Sequence, residues 1–319
     1  MFSSKIISTG SYLPEKILTN FDLEKIVETT NEWILERTGI EKRHIAATDE
    51  LTSDIATKAA LRALEKSTIS VEEIDLIILA TTTPDLTFPA TATTIQAKLG
   101  AKNAFAFDIQ AVCSGFVFAI ATADNFIKSG QVKNALVIGA DILSRIVDWK
   151  DRNTCVLFGD GAGAVLLQAT QEENRGIIAT DLHSDGALND ILKTSGGTAS
   201  TQKSGFIEMA GKEVFKHAVE KMSKSVLSVL HKAGLGVENI DLLVPHQANL
   251  RILNAVATRL KIPAEKVILT VQSHANTSAA SIPLALDHAN ESGKIKKDDI
   301  VVLEALGGGL TWGSVVVRW

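Results

Sequence analysis

The stretch VEEIDLII, beginning at Val71, returns as VENIDLLV beginning at Val237, an offset of 166 residues (71 to 237). The segments preceding the two copies align at the same spacing, Leu64 with Leu230 and Lys66 with Lys232. Further along, Ser129 and Gly130 close one helix-period stretch and Ser292 and Gly293 close another, now at an offset of 163 (129 to 292). Repetition on this scale marks a duplicated unit, in which one order of strands and helices is used twice. The chain is therefore expected to fold as two related halves, residues 1–169 and 170–319. No long Pro/Gly/Ser linker separates them, so they should form one compact body around a pseudo-dyad.

Apolar, β-rich runs such as IDLIILATT, AFAFDI, ALVIGAD, TCVLFGD and AVLLQA alternate with helix-period runs such as DIATKAALRALEKS and GFVFAIATADNFIKSG. That alternation predicts an α/β protein with largely buried strands. Within this pattern Cys155, in TCVLF, is expected as a core residue of a strand. FGDGAGA is expected as a tight turn, because the dinucleotide fingerprint needs a helix after its glycines and AVLLQA has strand character. With 319 residues, 45% of them hydrophobic, the chain can bury a large core. Lys and Arg number 32 against 37 Asp and Glu, a net charge of −5 that argues against bulk nucleic-acid binding. Two cysteines cannot build a disulfide framework, the N-terminal stretch does not read as a signal peptide, and no stretch stays apolar for the ~20 residues of a membrane span. The expectation is a soluble, cytoplasmic protein with free thiols.

Three residues carry potential chemistry. Cys113, in DIQAVCSGFVFAI, stands at the start of a helix, where unpaired N–H groups and the positive dipole end favour a thiolate. The offset of 163 carries it to Asn276, in SHANTSAASIP. His246, in PHQANLRI, follows the strand IDLLVP, and loops at the carboxyl ends of strands are where open α/β sheets hold their sites. Singly, each has a structural explanation: free Cys is commonly buried, Asn is a favoured N-cap, and a lone His is often structural. Their convergence through the repeat points instead to a nucleophile with two polar partners. LGGGLTWGS adds bare backbone at Gly307, Gly308 and Gly309 that can donate N–H to an oxyanion together with Cys113. Gly307 is taken as the donor, although spacing alone does not separate the three.

DIQAVCSGF, PHQANLRI, HANTSAASIP and EALGGGLTWGS together resemble the motifs of thiolase-like condensing enzymes, in particular the 3-oxoacyl-[acyl-carrier-protein] synthase III family. The resemblance runs from GSYLPEKILTN through NEWILERTGIEKRHIA to TWGSVVVRW. It implies a five-layer αβαβα fold in which Cys113 is the acylated nucleophile and His246 and Asn276 are the other catalytic residues. It further implies that Trp33 and Arg152 sandwich the adenine of coenzyme A, that Arg37 binds a phosphate and that Asn249 contacts pantetheine. Carrier-protein docking is implied for Gln247, Ala248, Asn249, Leu250 and Arg251, with Lys216 and Arg259. Phe88 matches a position that reaches into the acyl pocket of a partner subunit, which implies a homodimer. Neither metal nor cofactor is implied, since the coenzyme A thioester is a substrate.

The implied reaction has two stages: acyl-CoA, with acetyl as the expected primer, loads Cys113, and malonyl-acyl carrier protein then loses carbon dioxide and condenses with the bound acyl group. Asn276 cannot titrate, which suits decarboxylation better than removal of a carbon-bound proton. A papain-like hydrolase also uses Cys, His and Asn, but its cysteine motif is absent and the duplication has no role there. The nearer rival is a related transferase of secondary metabolism with a different primer or acceptor. Two departures bear on the acyl pocket: Ala275 stands where glycine is usual, and QAVCSG replaces a more alanine-rich approach to the cysteine.

Overall fold

The computed structural model describes residues 2–172 and 175–319. Nine strands form its two main sheets: β1 (Ser3–Tyr12), β2 (Leu76–Ala80), β3 (Phe105–Ile109), β4 (Asn134–Ile142), β5 (Asp160–Thr170), β6 (Gly176–Ser184), β7 (Leu242–Pro245), β8 (Ile300–Gly307) and β9 (Thr311–Arg318). Six helices cover them: α1 (Thr52–Glu65), α2 (Thr91–Leu99), α3 (Gly115–Lys128), α4 (Gly211–Ala233), α5 (Leu250–Leu260) and α6 (Ser281–Glu291). The first sheet runs β1-β5-β4-β2-β3, and the second, taken from its β6 edge, runs β6-β9-β8-β7. In each, the strand pairs around the centre repeat the same sense: β2 is parallel to β4 and β7 to β8, while β4–β5 and β8–β9 are antiparallel. Only the counterpart of β3 is reduced, to a single bridge between Leu243 and Val267.

Strand periodicity distributes side chains to the two faces. Val301, Leu303 and Ala305 of β8 join Ala135 and Val137 of β4 in a central core with α3 and α6. Leu136, Ile138 and Ala140 face the outer helices α1 and α2, and Val302 and Leu306 face α4 and α5. The result is five layers, αβαβα, as the resemblance implied.

Two local expectations need correction. FGDGAGA is not a turn, because Asp160 to Ala164 already belong to β5. Its glycines answer a tertiary demand: a Cβ on Gly163 would lie 2.7 Å from the backbone of Pro283 and Leu284, so α6 can approach β5 only where side chains are missing. Cys155 is fully buried, but it ends the short helix Arg152–Cys155, which Asp151 caps by accepting from Asn153 N, so the TCVLF run is not a strand.

The repeat is also out of step by three residues at the site. Val112 (φ 48°) and Ser278 (φ 52°) share a left-handed backbone, and each opens a short turn, Val112–Ser114 and Ser278–Ala280, that leads into α3 or α6. The offset is 166 here, and it falls to 163 at the far ends because α3 has 14 residues and α6 has 11. The structural counterpart of Cys113 is therefore Ala279. Asn276 reaches the site from three residues further upstream.

Candidate active site

A cavity of about 1710 Å³ has Cys113, His246, Asn276 and Ser278 among its lining residues. Cys113 sits in the turn between β3 and α3 and is 6% exposed. That turn is clasped to the glycine segment after β8: Ser114 Oγ contacts Ala111 O (2.7 Å) and Thr311 Oγ1 (2.8 Å), and Thr311 Oγ1 also reaches Gly308 O (3.1 Å). Gly307 lies directly against the Cys113 backbone, since a Cβ there would be 2.6 Å from Cys113 N. Positions 308 and 309 look elsewhere, Gly308 toward Leu192 O and Gly309 back onto Thr311.

Burial pushes the Cys113 thiol up to about 12; a contact with Ser278 opposes this, and the nearby Asp141 carboxylate adds to it. Burial thus opposes the thiolate that the helix start favours. His246 leaves β7 with its N–H donating to Glu304 O (2.7 Å) and its Nδ1 2.7 Å from Ser281 Oγ. Burial pulls it down to about 3, so the imidazole is neutral at physiological pH. Asn276 is 7% exposed and bridges on to Leu157 O and Gly159 N through its backbone (2.9 and 3.0 Å). Its Oδ1 accepts from Ser278 N (2.9 Å), which leaves the Nδ2 hydrogens for the cavity.

Toward the mouth, the Arg152 and Arg37 guanidinium carbons lie 4.9 and 5.8 Å from the Trp33 ring centroid. Trp33 and Arg37 line the cavity. Asn249 caps α5 by accepting from Ile252 N (3.0 Å), and it lines the cavity with Ala248 and Arg251. Leu250 packs with Trp33 in a separate apolar cluster, beside Gly39. Gln247 offers nothing outward: it is fully buried, its Nε2 donates to Pro245 O and Ile268 O, and its Oε1 accepts from Thr270 N and Val271 N. It braces the loop that other residues would present to a partner. Lys216 and Arg259 are exposed but do not line the cavity, whereas Lys212 does. Phe88 is 82% exposed, next to the lining residues Leu86 and Thr87. The lining carries six basic side chains (Arg37, Arg145, Lys193, Lys203, Lys212 and Arg251) against three acidic ones (Asp85, Asp108 and Asp151), a local excess opposite in sign to the chain's net −5.

Ser278, Ser281 and Asp141 escaped notice in the sequence. The serines stand in the quoted NTSAAS segment, so the signal was present, but their partners are distant in the chain.

Five layers closed around two helix-opening turns, with a buried thiol at one of them, define a condensing enzyme of the thiolase-like fold. Comparison with known proteins narrows this. The description "3-Oxoacyl-[acyl-carrier-protein (ACP)] synthase III" matches residues 107–186, and its C-terminal counterpart matches residues 230–319. The chain is 61% identical to the beta-ketoacyl-[acyl-carrier-protein] synthase III of Ehrlichia canis over 318 residues, covering 100% of both chains. The crystal structure of the Aquifex aeolicus 3-oxoacyl-[acyl-carrier-protein] synthase III is similar at 52% identity and a TM-score of 0.95, over 99% of this chain and 100% of that one. The priming β-ketosynthase of the R1128 polyketide pathway is also similar, at 33% identity and a TM-score of 0.94 over 99% and 96%. The chain belongs to the 3-oxoacyl-[acyl-carrier-protein] synthase III family.

Proposed function

We propose that this chain initiates fatty acid biosynthesis as a 3-oxoacyl-[acyl-carrier-protein] synthase III, with Cys113 as the acylated nucleophile. The observation that carries the reading is the meeting of Cys113, neutral His246 and Asn276 Nδ2 in one buried cavity with a basic mouth. Identity of 61% to a synthase III, against 33% to a polyketide priming enzyme, favours primary fatty acid synthesis over a specialised pathway. An acyl-CoA enters past Trp33 and Arg152, and its acyl group passes from coenzyme A to Cys113 Sγ. The oxygen of the tetrahedral intermediate is held by the N–H of Cys113 with a glycine N–H beside it, for which Gly307 is best placed. Malonyl-acyl carrier protein then loses carbon dioxide, and its electrons move onto the thioester oxygen as an enolate. The N–H groups of neutral His246 and Asn276 stabilise that oxygen without taking a proton. The enolate carbon attacks the acyl-Cys113 carbonyl carbon, the carbon–sulfur bond breaks with its electron pair going to Cys113 Sγ, and 3-oxoacyl-carrier protein is released.

Arg251 and Lys212 at the mouth offer the local charge that an acidic carrier protein needs. The exposed Phe88 beside the cavity supports a homodimer in which it enters the partner's acyl pocket. Among the described residues no helix is long and apolar enough to cross a membrane. Intact-mass measurement after incubation with a panel of acyl-CoAs tests the first stage. One acyl adduct, lost in Cys113→Ala, is expected, with acetyl as the favoured primer. An adduct that persists in Cys113→Ala would overturn it. Carbon dioxide release from malonyl-carrier protein tests the second.

A further inference from the structure

We infer that Arg43 is a positioning residue that holds the coenzyme A platform and the wall carrying Asn276 in register; the inference rests on the roles proposed above for Trp33, Cys113 and Asn276. Arg43 lies in the short strand Lys42–Ile45, pairs there with Leu18 and is fully buried. Its guanidinium meets three acceptors. Nη1 donates to Leu18 O (3.3 Å) and Asn20 Oδ1 (2.9 Å), and Nη2 donates to Val156 O (3.0 Å). All three are neutral, and no carboxylate pairs with the cation among the described residues. Burial pulls the group down to about 10, so it stays charged at neutral pH.

Each arm of the fork leads to one wall of the cavity. Asn20, also fully buried, donates from Nδ2 to Asn31 Oδ1 (3.1 Å) and Ile40 O (2.8 Å). Asn31 opens the helix Asn31–Thr38 that carries Trp33 and Arg37, and Ile40 follows its Gly39 cap. One amide thus grips both ends of the platform helix, and Arg43 fixes that amide through its oxygen. On the other side, Val156, Leu157 and Phe158 line the cavity in sequence. Leu157 O accepts from Asn276 N (2.9 Å), and Asn276 O accepts from Gly159 N (3.0 Å). The Arg43 stem supports the same segment, since a Cβ on Gly159 would lie 3.0 Å from Arg43 Cβ. Asn276 follows Ala275, whose φ of 58° persists only where the surroundings over-determine it.

Stability alone does not ask for this side chain. A buried cation without a counter-charge is costly, and a well-packed apolar residue of similar volume often serves a fold equally well or better. An apolar residue cannot bond to two walls at once. The planar fork of arginine presents its donors at fixed angles, so Asn20 and Val156 are held at one separation. That separation sets the span between an adenine held at Trp33 and a thioester held at Asn276, which a pantetheine arm of fixed length must match. Cys113 is seated apart from both walls, in the β3–α3 turn clasped to the glycine segment through Ser114 and Thr311. Loss of register should therefore disturb adenine binding and decarboxylation while sparing the chemistry of acylation.

The test compares wild type, Asn20→Ala and Arg43→Lys in three measurements. These are the Kd of coenzyme A by calorimetry, acylation of Cys113 at saturating acetyl-CoA by quenched intact mass, and carbon dioxide release from saturating malonyl-carrier protein by enzyme acylated beforehand. Asn20→Ala cuts only the platform arm, so Kd should rise about tenfold, the scale of one charge-assisted hydrogen bond, with decarboxylation within about threefold of wild type. Arg43→Lys keeps the charge, but its single nitrogen cannot serve acceptors that two guanidinium nitrogens reach separately. It should raise Kd about tenfold and also slow decarboxylation about 10²-fold, the scale of a misplaced group, with acylation within about threefold. Wild-type values in Arg43→Lys would overturn the bridge. So would equal slowing of acylation and decarboxylation, which assigns Arg43 to structure alone, or an unchanged Kd in Asn20→Ala. If Arg43→Lys does not fold, Arg43→Gln is read in the same way, and if neither folds the Kd of Asn20→Ala decides. Failure of wild type to bind coenzyme A or to form the Cys113 adduct would instead remove the proposed function, and is told apart by the wild-type control.

Discussion

Replacing Gly307 by alanine tests the geometry at Cys113 most directly. The added Cβ would stand 2.6 Å from Cys113 N, 2.8 Å from Ala111 O and 3.0 Å from Ser114 N. All three are backbone atoms, so no side chain can rotate away. Reaching an ordinary contact of about 3.5 Å requires the Cys113 turn or the glycine segment to retreat by close to 1 Å. The clasp between Ser114 Oγ and Thr311 Oγ1, 2.8 Å long, resists that retreat and ties the two segments together. Misplacement on this scale costs roughly 10² in rate, and pulling one donor away from an oxyanion costs about 10²–10³. Overpacking adds about 1–3 kcal/mol of destabilisation. The expected result is a folded protein with a lowered melting temperature whose acylation of Cys113, followed by intact mass, is slowed at least about 10²-fold. Gly308→Ala is the comparison, since its Cβ would meet Leu192 O at 2.8 Å and the Val112 side chain at 3.4 Å, with no backbone atom of the Cys113 turn among its three nearest neighbours. A folded Gly307→Ala enzyme that acylates within threefold of wild type would refute the close-approach argument.

Burial pushes Glu304, whose carboxyl oxygens have no hydrogen-bond partner among the described residues, up to about 8 from an ordinary 4.5. Its proton is held in the fold and lost on unfolding, so stability falls as pH rises from about 4.5 to about 8; Glu304→Gln should flatten the urea-midpoint profile over that window, and unchanged profiles would count against it. Trp33→Ala should raise KM for acyl-CoA by about tenfold with kcat little changed, because an adenine platform acts in binding; a kcat effect alone would contradict that role. Arg251→Glu with Arg259→Glu should raise KM for malonyl-carrier protein at low salt and lose most of its effect at high salt, with Arg251 dominant because it alone lines the cavity. Salt-independent loss, or dominance of Arg259, would move the docking surface elsewhere.

The layering was legible because a repeated run such as VEEIDLII and VENIDLLV carries its own secondary structure, and two copies of one order can bury their strands in only a few ways. What escaped was set by contacts between distant residues. The glycines of GDGAG look like a turn until α6 is known to press on β5 at Gly163. Asp141 bonds to Ala279 N across 138 positions, a relation no local pattern contains. The three-residue slip arose because Ser129–Gly130 and Ser292–Gly293 mark the ends of helices of unequal length. Ala275 shows the opposite case, where a sequence departure acquires a physical reading. It adopts φ 58° and ψ −162°, a region that glycine alone enters freely, which explains why glycine is usual before the asparagine.

One physical cause governs the charge state of the whole floor. Burial favours a protonated Cys113 thiol and an unprotonated His246, so neither of these two side chains is charged while the site waits for substrate, and Glu304, whose backbone oxygen accepts from His246 N, is neutral below about 8. Such a floor suits a reaction whose charge appears only in passing, first on the oxygen of a tetrahedral intermediate and then on an enolate. Fixed N–H donors in a water-poor cavity stabilise that transient charge far more than they stabilise a neutral thioester, which is the condition for acceleration. An ionised His246 would donate more strongly, but it would also protonate the enolate carbon's electron source and favour loss of malonyl as acetyl-carrier protein. A neutral imidazole fixed at Nδ1 by Ser281 avoids that loss. The same burial opposes the ready thiolate that a helix start was expected to supply.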